Sequence, residues 1–249
     1  MLVTGGSSGI GRATSLLFAQ HGAKVVIGDI NPAGVETADT IKSAKGEAIF
    51  VQADVRDAQE VQNLVATAVK TFGGLHCAFN NAGVLPPMSP LADIEESTFD
   101  QTFAVDVKGV FLAMKYEIQQ MLKQGNGGAI VNMSSVAGVK GFPGAGVYVA
   151  SKHGVLGLTK SAALECAGAG IRVNAVCPAV IETPMAERAF VDPAFAKAVL
   201  AQHPLGRFGK PGEVAEAVLW LCSDKSSFTT GQFIAIDGGL LTGMNPNAQ

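Results

Sequence analysis

The stretch Thr4-Gly5-Gly6-Ser7-Ser8-Gly9-Ile10-Gly11 follows a short apolar run, Leu2-Thr4, and opens an amphipathic pattern over Gly9–Gln20. Unpaired backbone N–H groups at the start of a helix, together with the helix dipole, favour an anion such as a pyrophosphate. Glycine lets the backbone approach the phosphates closely. Three glycines at this spacing are weak evidence alone in a chain with 30 Gly. The strand before them and the helix after them make the stretch a predicted dinucleotide-binding turn.

Short β-branched runs alternate with longer amphipathic stretches along the whole chain. The predicted strands span 2–4, 24–28, 48–52, 77–80, 129–133, 172–176 and 233–236. The predicted helices span 9–20, 32–43, 58–72, 98–124, 147–165 and 211–221. Pro32 and Pro211 are placed in first turns, and Gly73 and Gly125 at helix ends. The alternation predicts one α/β domain over residues 1–249, a doubly wound parallel sheet (Rossmann fold) of about seven strands with helices on both faces.

The composition limits the classes of partner. The chain of 249 residues has a net charge of −3 and no run of like charge, so nucleic-acid binding has no electrostatic support. No apolar stretch approaches the length of a membrane span. No secretory signal is evident at the start. We expect a cytoplasmic protein with a small-molecule substrate.

Cysteine and histidine show no metal-ligand spacing. Cys77, Cys166, Cys177 and Cys222 form no C-x-x-C pair, which favours free thiols in a reducing compartment over a disulfide or a metal site. The four histidines are equally scattered. His153 follows a proposed catalytic lysine but diverges from it on a helix, so we interpret it as structural.

Asp29 ends the second strand, 18 residues after Gly11. A carboxylate at this position accepts hydrogen bonds from the adenosine ribose hydroxyls and repels the 2′-phosphate of NADP. Ile30 and Asn31 bring no cation to that phosphate, and Arg12 lies within the first helix. The sequence therefore favours NAD over NADP.

Ser135, Tyr148 and Lys152 form the catalytic pattern. Tyr148 and Lys152 are four residues apart, so they share one face of a helix. A nearby ammonium lowers the pKa of a phenol toward the working pH, and makes Tyr148 a candidate base. Ser135 follows the strand 129–133 at the edge where such sheets bind ligands, and its hydroxyl can hold a substrate oxygen. Ser134 is the competing serine, but only Ser135 lies thirteen residues before Tyr148.

These residues resemble the short-chain dehydrogenase/reductase family over essentially the whole chain. The matching pieces are the turn at 4–11, Asp54-Val55, Asn80-Asn81-Ala82-Gly83, the trio, and the stretch from Pro178 to Met185. The resemblance implies an NAD-dependent oxidoreductase that interconverts a secondary alcohol and a ketone, as a homotetramer with the helices 98–124 and 147–165 between subunits. It also implies the following cofactor-binding residues: Gly5, Ser7, Ser8, Gly9, Ile10, Gly11, Asp29, Ile30, Asp54, Val55, Asn81, Ala82, Gly83, Val105, Tyr148, Lys152, Pro178, Ala179, Ile181 and Thr183.

Three features depart from the family pattern. Asp106 stands where the family usually carries a fourth catalytic residue, an Asn, and an ionised carboxylate there partly offsets the field of Lys152 on Tyr148. We expect a slower enzyme or a more alkaline optimum. Ala179 replaces a usual Gly after Pro178 and narrows the nicotinamide end or is simply tolerated. The first strand looks short, at an expected cost in pairing and stability.

The segment 183–207 breaks the strand–helix rhythm with three prolines and is predicted to form a substrate lid, with an ordinary surface excursion as the alternative. Val139, Phe142, Met185 and Phe190 indicate an apolar pocket wall, consistent with a cyclic or hydrophobic alcohol. The same residues read equally well as core. Two rival functions remain open: a catalytically silent NAD-binding regulator, and the same family performing dehydration, epimerisation or C=C reduction.

Overall fold

The computed structural model describes residues 1–189 and 191–243. Within these residues seven parallel strands form one sheet in the order β3-β2-β1-β4-β5-β6-β7. The strands are β1 (Leu2–Thr4), β2 (Val25–Asp29), β3 (Ala48–Gln52), β4 (Cys77–Asn80), β5 (Gly128–Met133), β6 (Ile171–Pro178) and β7 (Phe233–Ile236). The doubly wound parallel sheet expected from the sequence is thus confirmed, with strand bounds that differ by at most two residues.

The helices are α1 (Gly9–Gln20), α2 (Gly34–Ser43), α3 (Ala58–Phe72), α4 (Glu96–Phe103), α5 (Val110–Gln124), α6 (Gly146–Cys166), α7 (Pro184–Ala189), α8 (Pro193–Leu200) and α9 (Pro211–Cys222). Gly73 and Gly125 end α3 and α5 in the left-handed conformation, with φ of 84° and 70°. Pro32 was wrongly placed in a first helical turn, since α2 begins only at Gly34 and Pro32 lies in the preceding turn.

The predicted helix 98–124 is interrupted in its register. A π-helical turn, Ala104–Gly109, connects α4 to α5. A π turn inserts a residue into the helical repeat and is frequent at functional sites. Asp106 is buried within it.

Alternate strand residues fill two separate cores, because successive side chains of a strand point to opposite faces. Leu2 and Val26 belong to the core under α3, α5 and α6, whereas Val3 and Ile27 belong to the one under α1, α2 and α9. Both faces of the sheet are therefore covered by helices. Ligands can bind only where the strands begin or end.

A network of hydrogen-bonded, buried polar side chains crosses the first of these cores. Asn80 Nδ2 donates to Glu117 Oε2 and to Asn132 Oδ1, each at 3.0 Å. Asn132 Nδ2 donates to Thr159 Oγ1 at 3.0 Å. These hydrogen bonds link β4 and β5 to α5 and α6, so they fix the strand before Ser135 against the helix that carries Tyr148 and Lys152.

The chain winds outward from β1 to β3, then returns to β4 on the other side of β1. In open α/β sheets such a reversal opens a crevice at the carboxyl ends of the strands. Although short, β1 lies in the interior of the sheet and pairs with both β2 and β4. The short first strand is confirmed, with three residue pairs on each side, and its expected cost in stability stays a prediction.

Candidate active site

The glycine turn lies at the reversal between β1 and β4. Gly5 and Gly9 have φ of 65° and 52°, a region open to glycine at little cost. A Cβ on Gly11 would lie 2.1 Å from the backbone O of Gly5. Ser8 precedes α1 without a side-chain cap. Glycine is thus required at the tightest points of the turn, and the turn leads directly into the N-terminus of a helix.

Asn81 and Ala82 hold this turn in place. Asn81 Nδ2 donates to the backbone O atoms of Thr4 and Gly5, at 3.0 and 2.9 Å. The Asn81 and Ala82 N–H groups both donate to Thr4 Oγ1. The side-chain amide of Asn81 therefore bonds to the glycine turn. It orders the backbone that a cofactor would contact.

Asp29 lies beside the same turn. Its Oδ2 accepts the Ser7 N–H at 2.9 Å and its Oδ1 accepts the Asn31 N–H at 2.9 Å. Two backbone donors fix the carboxylate at the carboxyl end of β2, where the predicted ribose site lies. Ile30 is largely exposed next to it.

Asp54 and Val55 follow β3 at the same edge. Arg56 Nε donates to both carboxylate oxygens of Asp54, and this pairing lowers the pKa of Asp54. Val55 packs against Gly109, where an added Cβ would lie 2.8 Å from Val55 Cγ2. The residues predicted to bind the ribose and the adenine thus lie at the carboxyl ends of the neighbouring strands β2 and β3. Val55 also contacts the π turn.

The catalytic trio converges at the ends of β5 and α6. Ser135 acts to lower the pKa of the Tyr148 phenol, against the larger effect of burial, and Lys152 Nζ lies 5.3 Å from the centroid of the Tyr148 ring. Ser135 also donates to the Pro178 carbonyl at 3.4 Å. Ser134 is buried and donates to the backbone O of Lys152 at 3.0 Å. Ser134 therefore anchors α6, and Ser135 is the serine that faces the phenol.

Asp106 joins this group by direct contact. Its Oδ2 lies 3.1 Å from Lys152 Nζ, with both side chains buried. The Val84 N–H donates to Oδ1 at 2.8 Å, and the Ser151 hydroxyl donates to Oδ2 at 3.3 Å. A Cβ on Gly83 would lie 3.3 Å from both Asp106 Oδ1 and Lys152 Nζ. Gly83 thus leaves room above the ion pair.

The expected lowering of the Tyr148 pKa is not found in the protein alone. Burial raises the pKa of Tyr148 above its ordinary value, and this effect exceeds the opposing effect of the Lys152 ammonium. Asp106 raises it further. Burial lowers the pKa of Lys152, but the combined effects of Asp106, Tyr148 and Cys177 exceed it and leave that pKa above the ordinary value. Tyr148 is therefore a protonated phenol and Lys152 an ammonium at neutral pH.

The predicted nicotinamide end lies across from the glycine turn. The Ala179 N–H donates to the Ile236 carbonyl at 3.1 Å, and Thr183 Oγ1 donates to the Ile181 carbonyl at 3.2 Å. A Cβ on Gly9 would meet Thr183 Cγ2 at 3.1 Å. Thr183 thus faces the start of α1. Val105 is half-buried in the π turn beside Asp106.

An apolar rim borders the trio. The loop after β4 packs on the loop before Tyr148: the Ser89 N–H donates to the Gly144 carbonyl at 2.9 Å, and a Cβ on Gly146 would lie 3.1 Å from Leu91. Met88 and Leu91 are exposed, as are Val139 and Met185, while Phe142 is half-buried. Phe190 lies outside the described residues.

The segment after β6 is held at both ends. It begins at Thr183, against Gly9, and Arg207 near its far end pairs with Glu213, with Nη1 3.0 Å from Oε2. The helices α7 and α8 between them bury no residue fully. This arrangement is compatible with the predicted lid, which stays a prediction.

Sequence reasoning missed Ser151, Val84 and the rim residues Met88 and Leu91. Ser151 lies between Tyr148 and Lys152 without a recognisable spacing, and Val84 contributes only its backbone. The partly apolar stretch 84–91 was the one available signal for the rim. No cluster of three or more His, Cys, Asp or Glu suited to a metal occurs within residues 1–189 and 191–243. Within the same ranges no helix has the length and apolar character needed to cross a bilayer.

The chain is similar to proteins of known activity. Residues 5–241 match a family model described as Enoyl-(Acyl carrier protein) reductase. A 2,5-dichloro-2,5-cyclohexadiene-1,4-diol dehydrogenase of Sphingobium indicum is 45% identical, covering 96% of this chain and 95% of that protein. A cyclohexanol dehydrogenase of Acinetobacter sp. strain SE19 is 43% identical, covering 95% and 92%. The solved structure of ElxO with NADP bound has a TM-score of 0.90 at 34% identity, covering 97% and 98%.

Proposed function

Because the chain belongs to the short-chain dehydrogenase/reductase family of oxidoreductases, we propose that it interconverts a cyclic secondary alcohol and its ketone with NAD. The observation that carries the proposal is that Ser135, Tyr148 and Lys152 converge beyond the carboxyl end of β5, at the edge of the sheet that also holds the glycine turn. The tyrosine thereby has a serine that favours its ionisation and an ammonium beside its ring.

The residues at the predicted cofactor site suit a dinucleotide. The glycines of the 5–11 turn have no room for a Cβ, and the start of α1 offers backbone N–H groups to a pyrophosphate. When bound, the nicotinamide supplies the hydride acceptor or donor. Every other part of the reaction falls to side chains of this chain.

In the reductive direction the Tyr148 phenol donates its proton to the carbonyl oxygen, and Ser135 holds that oxygen by a hydrogen bond. In the oxidative direction Tyr148 must first lose its proton, and then takes the proton of the substrate hydroxyl. Lys152 stabilises the phenolate by its charge. Because burial and Asp106 keep the pKa of Tyr148 high, we expect ketone reduction near neutral pH and alcohol oxidation only in alkaline solution.

NAD is favoured by the fixed carboxylate of Asp29. Its two oxygens already accept backbone N–H groups, so the carboxylate cannot swing away from a 2′-phosphate. The related ElxO structure contains NADP, so the preference has to be measured for this chain. A ring-shaped substrate is supported by the names of the two dehydrogenase relatives and by the rim around Met88 and Leu91.

The test is dehydrogenase and reductase turnover with cyclohexanol, a cyclohexadiene diol, cyclohexanone and an acyclic 3-oxoacyl thioester, each with NAD(H) and NADP(H). We expect turnover of the cyclic substrates with NAD(H), which Tyr148→Phe abolishes while NAD binding remains. Turnover confined to the acyl thioester would refute the substrate class. Binding of NAD without turnover of any substrate would support the silent NAD-binding regulator instead.

A homotetramer is part of the same proposal. Phe111 on α5 and Leu164 on α6 are exposed, at 46% and 84%, on the helices that the family resemblance places between subunits. Burial of such side chains stabilises an interface. Light scattering after size exclusion should give a tetramer, and Phe111→Glu with Leu164→Glu should give smaller species.

A cytoplasmic location also stays a proposal. All four cysteines are free, as is usual in a reducing compartment. Fractionation of the source cells, with detection by an antibody to this chain, tests it, and recovery in a secreted fraction would contradict it.

A further inference from the structure

A pair of cysteines lies at the edge of the sheet opposite the catalytic trio. Cys77 is the first residue of β4 and Cys222 the last residue of α9. The Cys77 thiol donates to the backbone O of Cys222 at 3.6 Å. Each of the two thiols also shifts the pKa of the other. They are 145 residues apart in sequence, so the fold alone brings them together.

The surroundings of this pair favour chemistry at sulfur. Both cysteines are half-buried, whereas Cys166 and Cys177 are buried. Ala129 on β5 pairs with Cys77 on one side and with Arg172 of β6 on the other. Arg172 Nη2 donates to the backbone O of Ser223, the residue after Cys222, at 3.1 Å. A guanidinium near a thiol favours its thiolate form.

We infer that Cys77 and Cys222 form a peroxide-sensitive dithiol that closes to a disulfide between β4 and α9. Cys77 Sγ already lies 3.6 Å from the backbone O of Cys222, and the pair lies at the ends of two elements, where the backbone can shift to bring the two sulfur atoms to bonding distance. This inference uses neither the catalytic trio nor the proposed substrate.

Cys77 is the attacking sulfur. Interaction with the Cys222 thiol lowers the pKa of Cys77, assisted by the ammonium of Met1 and by Arg172, against burial and Asp224. The same interaction and burial raise the pKa of Cys222. A thiol at Cys77 that ionises more readily than its neighbour at Cys222 is the arrangement of an attacking and a resolving cysteine.

The oxidation balances with hydrogen peroxide as oxidant. The Cys77 thiolate attacks one peroxide oxygen, the O–O bond breaks, an S–O bond forms, and hydroxide leaves. The Cys222 sulfur then attacks the sulfur of this sulfenic acid, the S–S bond forms, and the S–O bond breaks with loss of a second hydroxide. The protons of the two thiols convert both hydroxides to water. Two thiols are thus oxidised by two electrons, and one peroxide is reduced to two waters.

The test oxidises the reduced full-length protein with hydrogen peroxide and maps its peptides without reduction. We expect one linked peptide pair, Cys77 with Cys222, lighter by two hydrogen atoms, and restoration of both thiols by dithiothreitol. Because the bond closes a long loop, the oxidised protein should melt roughly 5–15 °C higher than the reduced protein. A sulfinic or sulfonic acid on Cys77 without a cross-link, or a bond between two molecules, would overturn the inference.

Two variants assign the roles. In Cys222→Ser, dimedone should trap a sulfenic acid on Cys77, since no resolving thiol remains. The matched control Cys166→Ser should still form the Cys77–Cys222 bond, because Cys166 is buried on α6 away from the pair. Dimedone labelling at Cys166 or Cys177 in place of Cys77 would contradict the assignment. Peptide mapping of the unmodified sequence decides the matter even where a variant does not fold.

Discussion

Asp106 Oδ2 lies 3.1 Å from Lys152 Nζ inside the protein, and the two side chains are 0% and 3% exposed. The ammonium next to Tyr148 is thus paired with a carboxylate that opposes its effect on the phenol. Removing one partner of a buried pair leaves the other uncompensated, so substitutions at these positions change both protonation and stability.

Asp106→Asn should make alcohol oxidation faster at neutral pH. The carboxylate raises the pKa of Tyr148, so its removal lowers that pKa and increases the phenolate fraction, by about tenfold for each pH unit of displacement. In a plot of log kcat/KM against pH, the rising limb should move to lower pH. Ser151→Ala removes an uncharged hydrogen-bond donor to Asp106 and should leave the rising limb of the pH profile in place. An unmoved limb in Asp106→Asn would exclude this role for the carboxylate.

Glu117→Gln should remove a pH dependence of stability. Burial raises the pKa of Glu117 to about 7, so the folded state holds this proton more tightly than the unfolded state. Stability is then fully present below the ordinary Glu pKa and falls as pH rises through about 7, by about 3 kcal/mol in total. A glutamine resembles the protonated acid and keeps a partner for Asn80. Urea unfolding in mildly acidic and mildly alkaline buffers measures the change.

The control for this substitution is Glu165→Gln, at an exposed position of α6. It should retain the decline of stability toward alkaline pH seen in the unmodified protein. An equal decline in Glu117→Gln would show that another group causes it.

Asp29→Ala should reduce kcat/KM for NAD by roughly 10–100-fold, the loss expected for one or two hydrogen bonds to a charged acceptor. The value for NADP should fall less or rise, because the repulsion of a 2′-phosphate disappears. Initial rates with both cofactors give the ratio. Asp39→Ala, on the exposed face of α2, serves as the matched control and should leave the ratio unchanged. A constant ratio in Asp29→Ala would refute the assignment.

Gly11→Ala should destabilise the protein by about 1–3 kcal/mol and weaken NAD binding. Its Cβ would meet the Gly5 carbonyl O at 2.1 Å and Asn81 Nδ2 at 2.6 Å, and backbone atoms cannot move aside cheaply. Gly212→Ala in α9 has open space around the new methyl group and should gain about 0.5–1 kcal/mol. Thermal melts and NAD titrations of both variants provide the comparison. Equal melting temperatures would contradict the crowding argument.

The sheet was predictable because its signals are local. Alternating strands and helices, proline and glycine at helix ends, and a four-residue spacing between Tyr148 and Lys152 all act over a few residues. The parallel order and the contact of the three residues at one edge then follow from the connection rules of such sheets. The roles of the individual site residues remain predictions, since only their placement is visible.

The features that the sequence did not predict depend on contacts between residues far apart in the chain. A π turn adds only one residue to the helical repeat and carries no proline to stop the helix, so one helix was expected where α4, the turn and α5 lie. The pKa of Tyr148 was expected to fall because the lysine is near in sequence, but it rises because burial and Asp106 come from distant segments. The Cys77–Cys222 contact is equally non-local.

The hydroxyl of Thr4 accepts hydrogen bonds from the N–H groups of both Asn81 and Ala82. The glycine turn belongs to the first βα unit, yet its shape is completed by residues that follow three strands later. The nucleotide-binding half is therefore not an autonomous module. A nascent chain that ends before β4 leaves one flank of β1 without a partner, and it should capture no dinucleotide until the fourth strand has docked.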